Sequence, residues 1–103
     1  MTVKHLVMWN VKAENEAQRR AACHQIKRAF EGLRGKIPGM AHIEIGIDSS
    51  RIGYACDVAL YSVFQDQASL EAYASHPEHL RVKRELGDTR IARHQVDYAE
   101  ERE

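Results

Sequence analysis

The chain has 103 residues, 44% of them apolar and 29% charged, a size and balance that fit one folded domain over residues 1–103 and leave no room for a second. Fifteen basic and fifteen acidic side chains cancel, which removes the net electrostatic pull expected of a nucleic-acid or anionic-membrane binder. No run reaches the roughly 20 apolar residues of a membrane span, the first residues carry no signal-peptide pattern, and Cys23 and Cys56 have no CxxC spacing; a cytoplasmic protein with free thiols is expected.

Residues 3–11 alternate, Val3, His5, Val7, Trp9 and Val11 on one face and Lys4, Leu6, Met8, Asn10 and Lys12 on the other, which predicts a strand with apolar groups on both faces. Asn15 suits the N-cap of a helix whose apolar stripe runs Ala22, Ile26, Phe30, Leu33 and Ile37, with Arg19, Arg20, Lys27 and Glu31 elsewhere on the wheel. Gly32, Gly35 and Pro38-Gly39 end it. From Met40 to Asp48 alternation returns, with Met40, His42, Glu44 and Gly46 opposing Ala41, Ile43, Ile45 and Ile47; Asp48-Ser49-Ser50-Arg51 then forms a polar turn. Tyr54 to Phe64 reads as the third strand, Cys56, Val58, Leu60 and Ser62 opposing Ala55, Asp57, Ala59, Tyr61 and Val63.

Helical spacing resumes from Gln67 to Ser75 through Leu70 and Tyr73. Pro77 fits the first position of a new helical turn and drives His76 out of helical geometry, so the helix breaks there and continues through Leu80, Val82 and Leu86 to about Gly87. Ile91 to Tyr98 supplies the last strand, with Ala92, His94, Val96 and Tyr98 on one face, and 99–103 reads as a frayed end. The order β-α-β-β-α-β, with its second helix split, predicts an α+β ferredoxin-like fold, a four-stranded antiparallel sheet with helices on one face. The other face, with Leu6, Met8, Ala59, Tyr61, Ala92 and Val96, is too apolar for water, so a homodimer packed sheet against sheet as an α+β barrel is expected, with His94 in its interior. His24 and His42 read as surface residues.

Three stretches, VKHLVMW at 3–9, the run from Gly35 to Met40 (GKIPGM) and Tyr73-x-x-His76-Pro77-x-His79, followed by Val96-Asp97-Tyr98, resemble the stress-responsive dimeric A/B barrel (Dabb) family over Val3 to Tyr98. The resemblance implies the same ferredoxin-like dimer and leaves function open. A plant member is a polyketide cyclase, and similarity to it implies Tyr73 and His79 as an acid/base pair with His5 lining the pocket. Where that enzyme has a third-strand histidine this chain has Cys56, and its first-helix segment differs in length, so the acid/base pair carries over and the substrate does not.

A histidine of near-neutral pKa and a tyrosine near 10 make a base and a proton donor for a carbonyl substrate when both reach one atom. On an unbroken helix Tyr73 and His79 would lie roughly 120° apart in projection, and the break at Pro77 permits convergence. Helices over the His5 face would gather His5, Trp9, Cys56, Tyr73 and His79 in one pocket, with Val7 and Val58 beside the substrate. His76 reads as an N-cap and Glu78 as a first-turn acid. Although His76 and His79 stand at an i, i+3 spacing, nothing nearby completes a zinc set, so neither metal nor cofactor is assigned. Two functions remain: a cofactor-independent lyase, cyclase or isomerase acting on a small carbonyl or polyketide-like compound, with His79 as base, Tyr73 as donor and His5 orienting them; or a non-catalytic dimer that binds a small apolar ligand or serves a stress-related role, in which Tyr73 and His79 only pack.

Overall fold

A computed structural model describes residues 1–101 and contains β1 (Val3–Val11), α1 (Glu16–Glu31), β2 (Met40–Ile47), β3 (Val58–Phe64), α2 (Gln67–Ala74), α3 (Pro77–Leu86) and β4 (Arg90–Ala99). The strands pair antiparallel in the order β2-β3-β1-β4. Alternation in β1 buries Val3, Val7, Trp9 and Val11 against Ile26 and Phe30 of α1, Leu70 and Tyr73 of α2, and Val82 and Leu86 of α3. This is the ferredoxin-like α+β fold. Each fully buried side chain of that size contributes roughly 1.5–3 kcal/mol, so one helix-covered face supplies the core. On the opposite face Met8, Val96 and Tyr98 remain exposed in the single chain.

The helix starts follow local chemistry. Asn15 accepts the Gln18 N–H at 2.9 Å and Asp66 the Ser69 N–H at 2.8 Å, each satisfying a donor that the first helical turn leaves free. The second helix breaks at the expected place: His76 is extended, and its Nδ1 accepts the Glu78 N–H at 3.1 Å.

Several local expectations are corrected. Helix α1 stops at Glu31, and Leu33 and Ile37 extend its buried stripe from the following turns. β3 begins at Val58 rather than Tyr54, and Tyr54 is 90% exposed. The cause is Asp57, which is buried with its carboxylate on the Val11 N–H at 2.9 Å while its own N–H donates to the Trp9 carbonyl. That buried charge recruits Arg19, expected on the polar side of the wheel but found buried, 3.8 Å from Asp57 and 2.7 Å from Glu16. A bulge between Met40 and His42 turns Met40 onto the core, away from the face assigned by strict alternation. The end expected to fray is ordered at its start, since Ala99 belongs to β4 and the Glu100 N–H donates to the Thr2 carbonyl; residues 102 and 103 lie outside the described residues.

A second bulge matters most for the site. Pairing runs Met8 with His94 and then Asn10 with Ile91, so Ala92 and Arg93 together oppose Trp9, and Ala92 takes a left-handed φ of 52°. The inserted residue interrupts the alternation expected for β4: Arg93 keeps the face of Gln95 and Asp97, and Arg90, which alternation would place on the open face, is turned opposite Val11 towards the helix-covered side.

Gly39 (φ 78°) ties the turn after α1 to α2: its carbonyl accepts the Gln65 N–H, and a Cβ there would lie 2.2 Å from Ser69 Oγ. Gly35 has a similar φ of 77° and open space around it. Gly35→Ala is expected to cost about 1–2 kcal/mol in backbone strain alone, and Gly39→Ala distinctly more because overpacking adds to strain. Urea unfolding of both variants checks this, and equal losses would contradict it.

Candidate active site

A cavity of about 320 Å³ lies between the helices and the β1–β4 half of the sheet, at the small end of the range for small-molecule sites. His5, Val7 and Trp9 of β1 form its floor, and Phe30, Leu70, Tyr73 and His79 its helical wall. Lys83, Arg90 and Arg93 give it a polar rim.

The split helix sets the central pair. α2, capped by Asp66, turns Leu70 and Tyr73 inward, and α3 restarts at Pro77, so that His79 comes back over Tyr73. Their rings stack with centroids 4.1 Å apart and planes 27° from parallel. Phe64 packs on the Tyr73 ring at 5.2 Å and His5 meets it edge-on at 6.3 Å. The buried Tyr73 hydroxyl has no hydrogen-bond partner among the described residues. Burial pushes its pKa well above the ordinary tyrosine value, with Arg90 and Arg93 opposing only in part. The group is therefore a hydrogen-bond donor that stays protonated.

His79 is half-buried, and its Nδ1 lies 3.2 Å from the Ala74 carbonyl. Because a carbonyl only accepts, Nδ1 carries the proton and Nε2 of the neutral ring is left with a free lone pair. Burial lowers the His79 pKa, and the positive charges of Lys83 and Arg90 add to the effect. Tyrosine and histidine are thus pushed apart, one towards remaining an acid and the other towards remaining a base.

His5, 6% exposed, sits 2.5 Å from Asp97 Oδ1 through Nδ1. The two residues are direct cross-strand partners, and this charge-assisted contact fixes the imidazole ring. Gln95 Nε2 donates to the other Asp97 oxygen at 3.0 Å.

The structure brings His5, Val7, Trp9, Tyr73 and His79 together and leaves two expected neighbours elsewhere. Cys56 lies in the loop before β3 and lines a groove with Met8, Tyr54 and Ala59, because the strand that would have aimed it inward starts two residues later. Val58 is 1% exposed within the core, paired with Trp9 and Ile47, and does not line the cavity. Sequence reasoning gave no role to Asp97, Arg90 or Arg93. Pairing the first strand with the last would have found Asp97 opposite His5 and Arg93 on the same face, whereas Arg90 depends on a bulge that alternation does not reveal. His24, His42 and His94 are exposed in the single chain, and no three His, Cys, Asp or Glu side chains gather as a metal set among the described residues. No helix among them is long and apolar enough to cross a membrane.

A family model described as the stress responsive A/B barrel domain matches residues 3–100. A dimeric protein of unknown function with a ferredoxin-like fold from Bacteroides fragilis is 32% identical, with 94% of each chain covered and a TM-score of 0.82. A dimeric ferredoxin-like protein of unknown function from Thermobifida fusca is 19% identical over 96% of this chain and 91% of that one (TM-score 0.80). A hydroxynitrile lyase from Passiflora edulis, also 19% identical, covers 94% and 91% with a TM-score of 0.76. No curated protein matches the chain.

An unpartnered buried hydroxyl costs about 1–3 kcal/mol. Tyr73→Phe is therefore expected to raise the stability of the ligand-free protein by about 1 kcal/mol, read as a higher urea midpoint. A drop would mean that the hydroxyl is bonded in solution.

Proposed function

Since the chain belongs to the stress-responsive A/B barrel family, we propose that it acts as a homodimer whose cavities move a proton on a small carbonyl compound, as a cofactor-independent lyase, cyclase or isomerase. The observation that carries this reading is the stacked Tyr73–His79 pair lining one cavity, with an unpartnered hydroxyl on one ring and an Nε2 free of the Ala74 contact on the other. In the step envisaged, Nε2 of His79 takes a proton from the carbon next to the carbonyl. The C–H electron pair moves into the new C=C bond, and the carbonyl π pair moves onto oxygen, where the Tyr73 O–H donates to the growing negative charge. His5, held by Asp97, orients the tyrosine ring from its edge. The lyase sharing this fold supports the reaction class by fold alone.

Ligand binding without turnover is the competing reading, and the packing of His79 against both Tyr73 and Phe30 favours it. The two separate on one measurement: exchange of α-protons for deuterium in small ketones and keto acids, followed by NMR. His79→Ala is expected to lower exchange by about 10²–10⁴-fold and Tyr73→Phe by about 10²–10³-fold, with both variants folded. Exchange that persists in His79→Ala leaves only the binding role. Because the lowered His79 pKa keeps the base form available, the acid limb of the exchange profile should fall below the ordinary histidine value of about 6.5; stability is expected to decline over that same range as pH falls, since the unfolded chain takes up the proton first.

The dimer is proposed on the exposed apolar face with Met8, Val96 and Tyr98 and on the dimeric state of the similar proteins. Sedimentation should give twice the 11.8 kDa chain mass, and Val96→Arg should give a folded monomer. A wild-type monomer at micromolar concentration would remove this part of the proposal. The free thiols, Cys23 buried and Cys56 half-buried, suit a reducing cytoplasmic setting.

A further inference from the structure

The rim of the cavity holds charges that the acid/base pair does not use. Arg19, Arg34, Arg51 and Arg81 each lie within ion-pair distance of a carboxylate. Among the described residues Arg90 and Arg93 have none, as is also true of Arg20, Arg28 and Arg84, which face solvent away from the cavity. Arg90 is half-buried with its guanidinium 4.8 Å from the centroid of the Trp9 ring and 5.4 Å from that of Phe30, and its Nε is buried without a hydrogen-bond partner. Arg93 lies 6.0 Å from the same Trp9 centroid and donates only to the uncharged Gln95 Oε1. Two guanidinium groups over one indole repel each other, and aromatic faces offset this only in part. Arg93 reaches this side by plain alternation with Gln95 and Asp97, and the left-handed Ala92 bulge is what turns Arg90 to join it, so the chain holds a strained backbone position where it gathers like charges.

Such a pair is completed by an anion. Guanidinium forks match the two oxygens of a carboxylate. The cavity lining carries three cations, Lys83, Arg90 and Arg93, against two acids, Glu71 and Asp97. One unit of positive charge is left over, which suits a monoanion better than a doubly charged phosphate. Asp97 is engaged by His5 and Gln95 and does not supply the missing partner.

We propose that the ligand is a carboxylic acid whose carboxylate is held by Arg90 and Arg93 against Trp9 while its carbonyl points towards Tyr73 and His79; the substrate class is thus a keto acid. The carboxylate contact stands on its own geometry, and only the keto group rests on the proton-transfer reading.

The test is calorimetric titration of the intact protein with pyruvate, levulinate and phenylpyruvate, and with the methyl ester of each. At least one acid is expected to bind with a Kd in the millimolar range or better, its ester at least about tenfold more weakly, as loss of one charged hydrogen bond predicts. Arg90→Gln should lose a similar factor and Arg90→Lys a smaller one, because a point charge keeps attraction without the fork. Equal binding of acid and ester, unchanged affinity in a folded Arg90→Gln, or no binding by any of the three acids overturns the inference. The acid–ester comparison needs only wild-type protein, so it decides between carboxylate recognition and its absence even where a variant fails to fold. Acids that bind through Arg90 without α-proton exchange would defeat the proton-transfer reading and leave the carboxylate site standing; exchange lost in His79→Ala, with acid and ester bound alike, would do the reverse.

Discussion

The chain break at His76-Pro77 is the constraint on which the cavity depends. Pro77 has no N–H to give and excludes helical geometry for the residue before it; His76 accordingly sits at φ −64° and ψ 135° and caps the next helix with its own ring. An unbroken helix would carry Tyr73 and His79 to different faces. With the break, the two rings stack, and the carbonyl of Ala74, near the end of the first piece, receives Nδ1 of His79. One kink therefore sets both the position of the histidine and which of its nitrogens is left free of the backbone.

Two arginine sets show how differently burial can be handled in one small fold. Arg19 and Arg51 converge on Asp57, whose carboxylate also takes a backbone N–H of β1. That cluster is neutralised internally and holds the loop before β3 against the sheet, a structural use of charge. Arg90 and Arg93 are gathered with no acid between them, over an aromatic ring, beside a cavity. Arg90 is half-buried and Arg93 exposed; a charge partly withdrawn from water without a partner carries a cost, which the proposed carboxylate ligand would offset. The unpartnered Tyr73 hydroxyl at the same cavity is a second instance.

The proposed acid/base roles of Tyr73 and His79 rest on environment more than on residue type. Tyrosine and histidine are common packing groups, and both here do pack, against Phe64 and Phe30. Burial acts on them in opposite directions because it disfavours the charged form of each, the phenolate in one case and the imidazolium in the other. The result is a neutral donor stacked on a neutral acceptor, which is the state proton transfer needs near neutral pH. His5 differs from both: a short contact to Asp97 across the β1–β4 ladder fixes it, which suits positioning.

Periodicity, capping residues and the proline were enough to determine the element order, the split helix and the two apolar sheet faces, because these rest on local backbone preferences and on the period-two and period-3.6 patterns of side-chain direction; the choice of His5, Tyr73 and His79 came with the family resemblance. Three things were decided only by tertiary structure. The start of β3 shifted because Asp57 bonds to a strand 46 residues away, which moved Cys56 out of the site. The faces of Met40 and of Arg90 depended on single-residue bulges in the ladders, and an inserted residue reverses the side chains beyond it without leaving a local mark. Asp97 acquired its role from the register of the first strand against the last. Direction along one strand is written in the sequence, whereas register between strands is set by what the whole sheet must bury and bond.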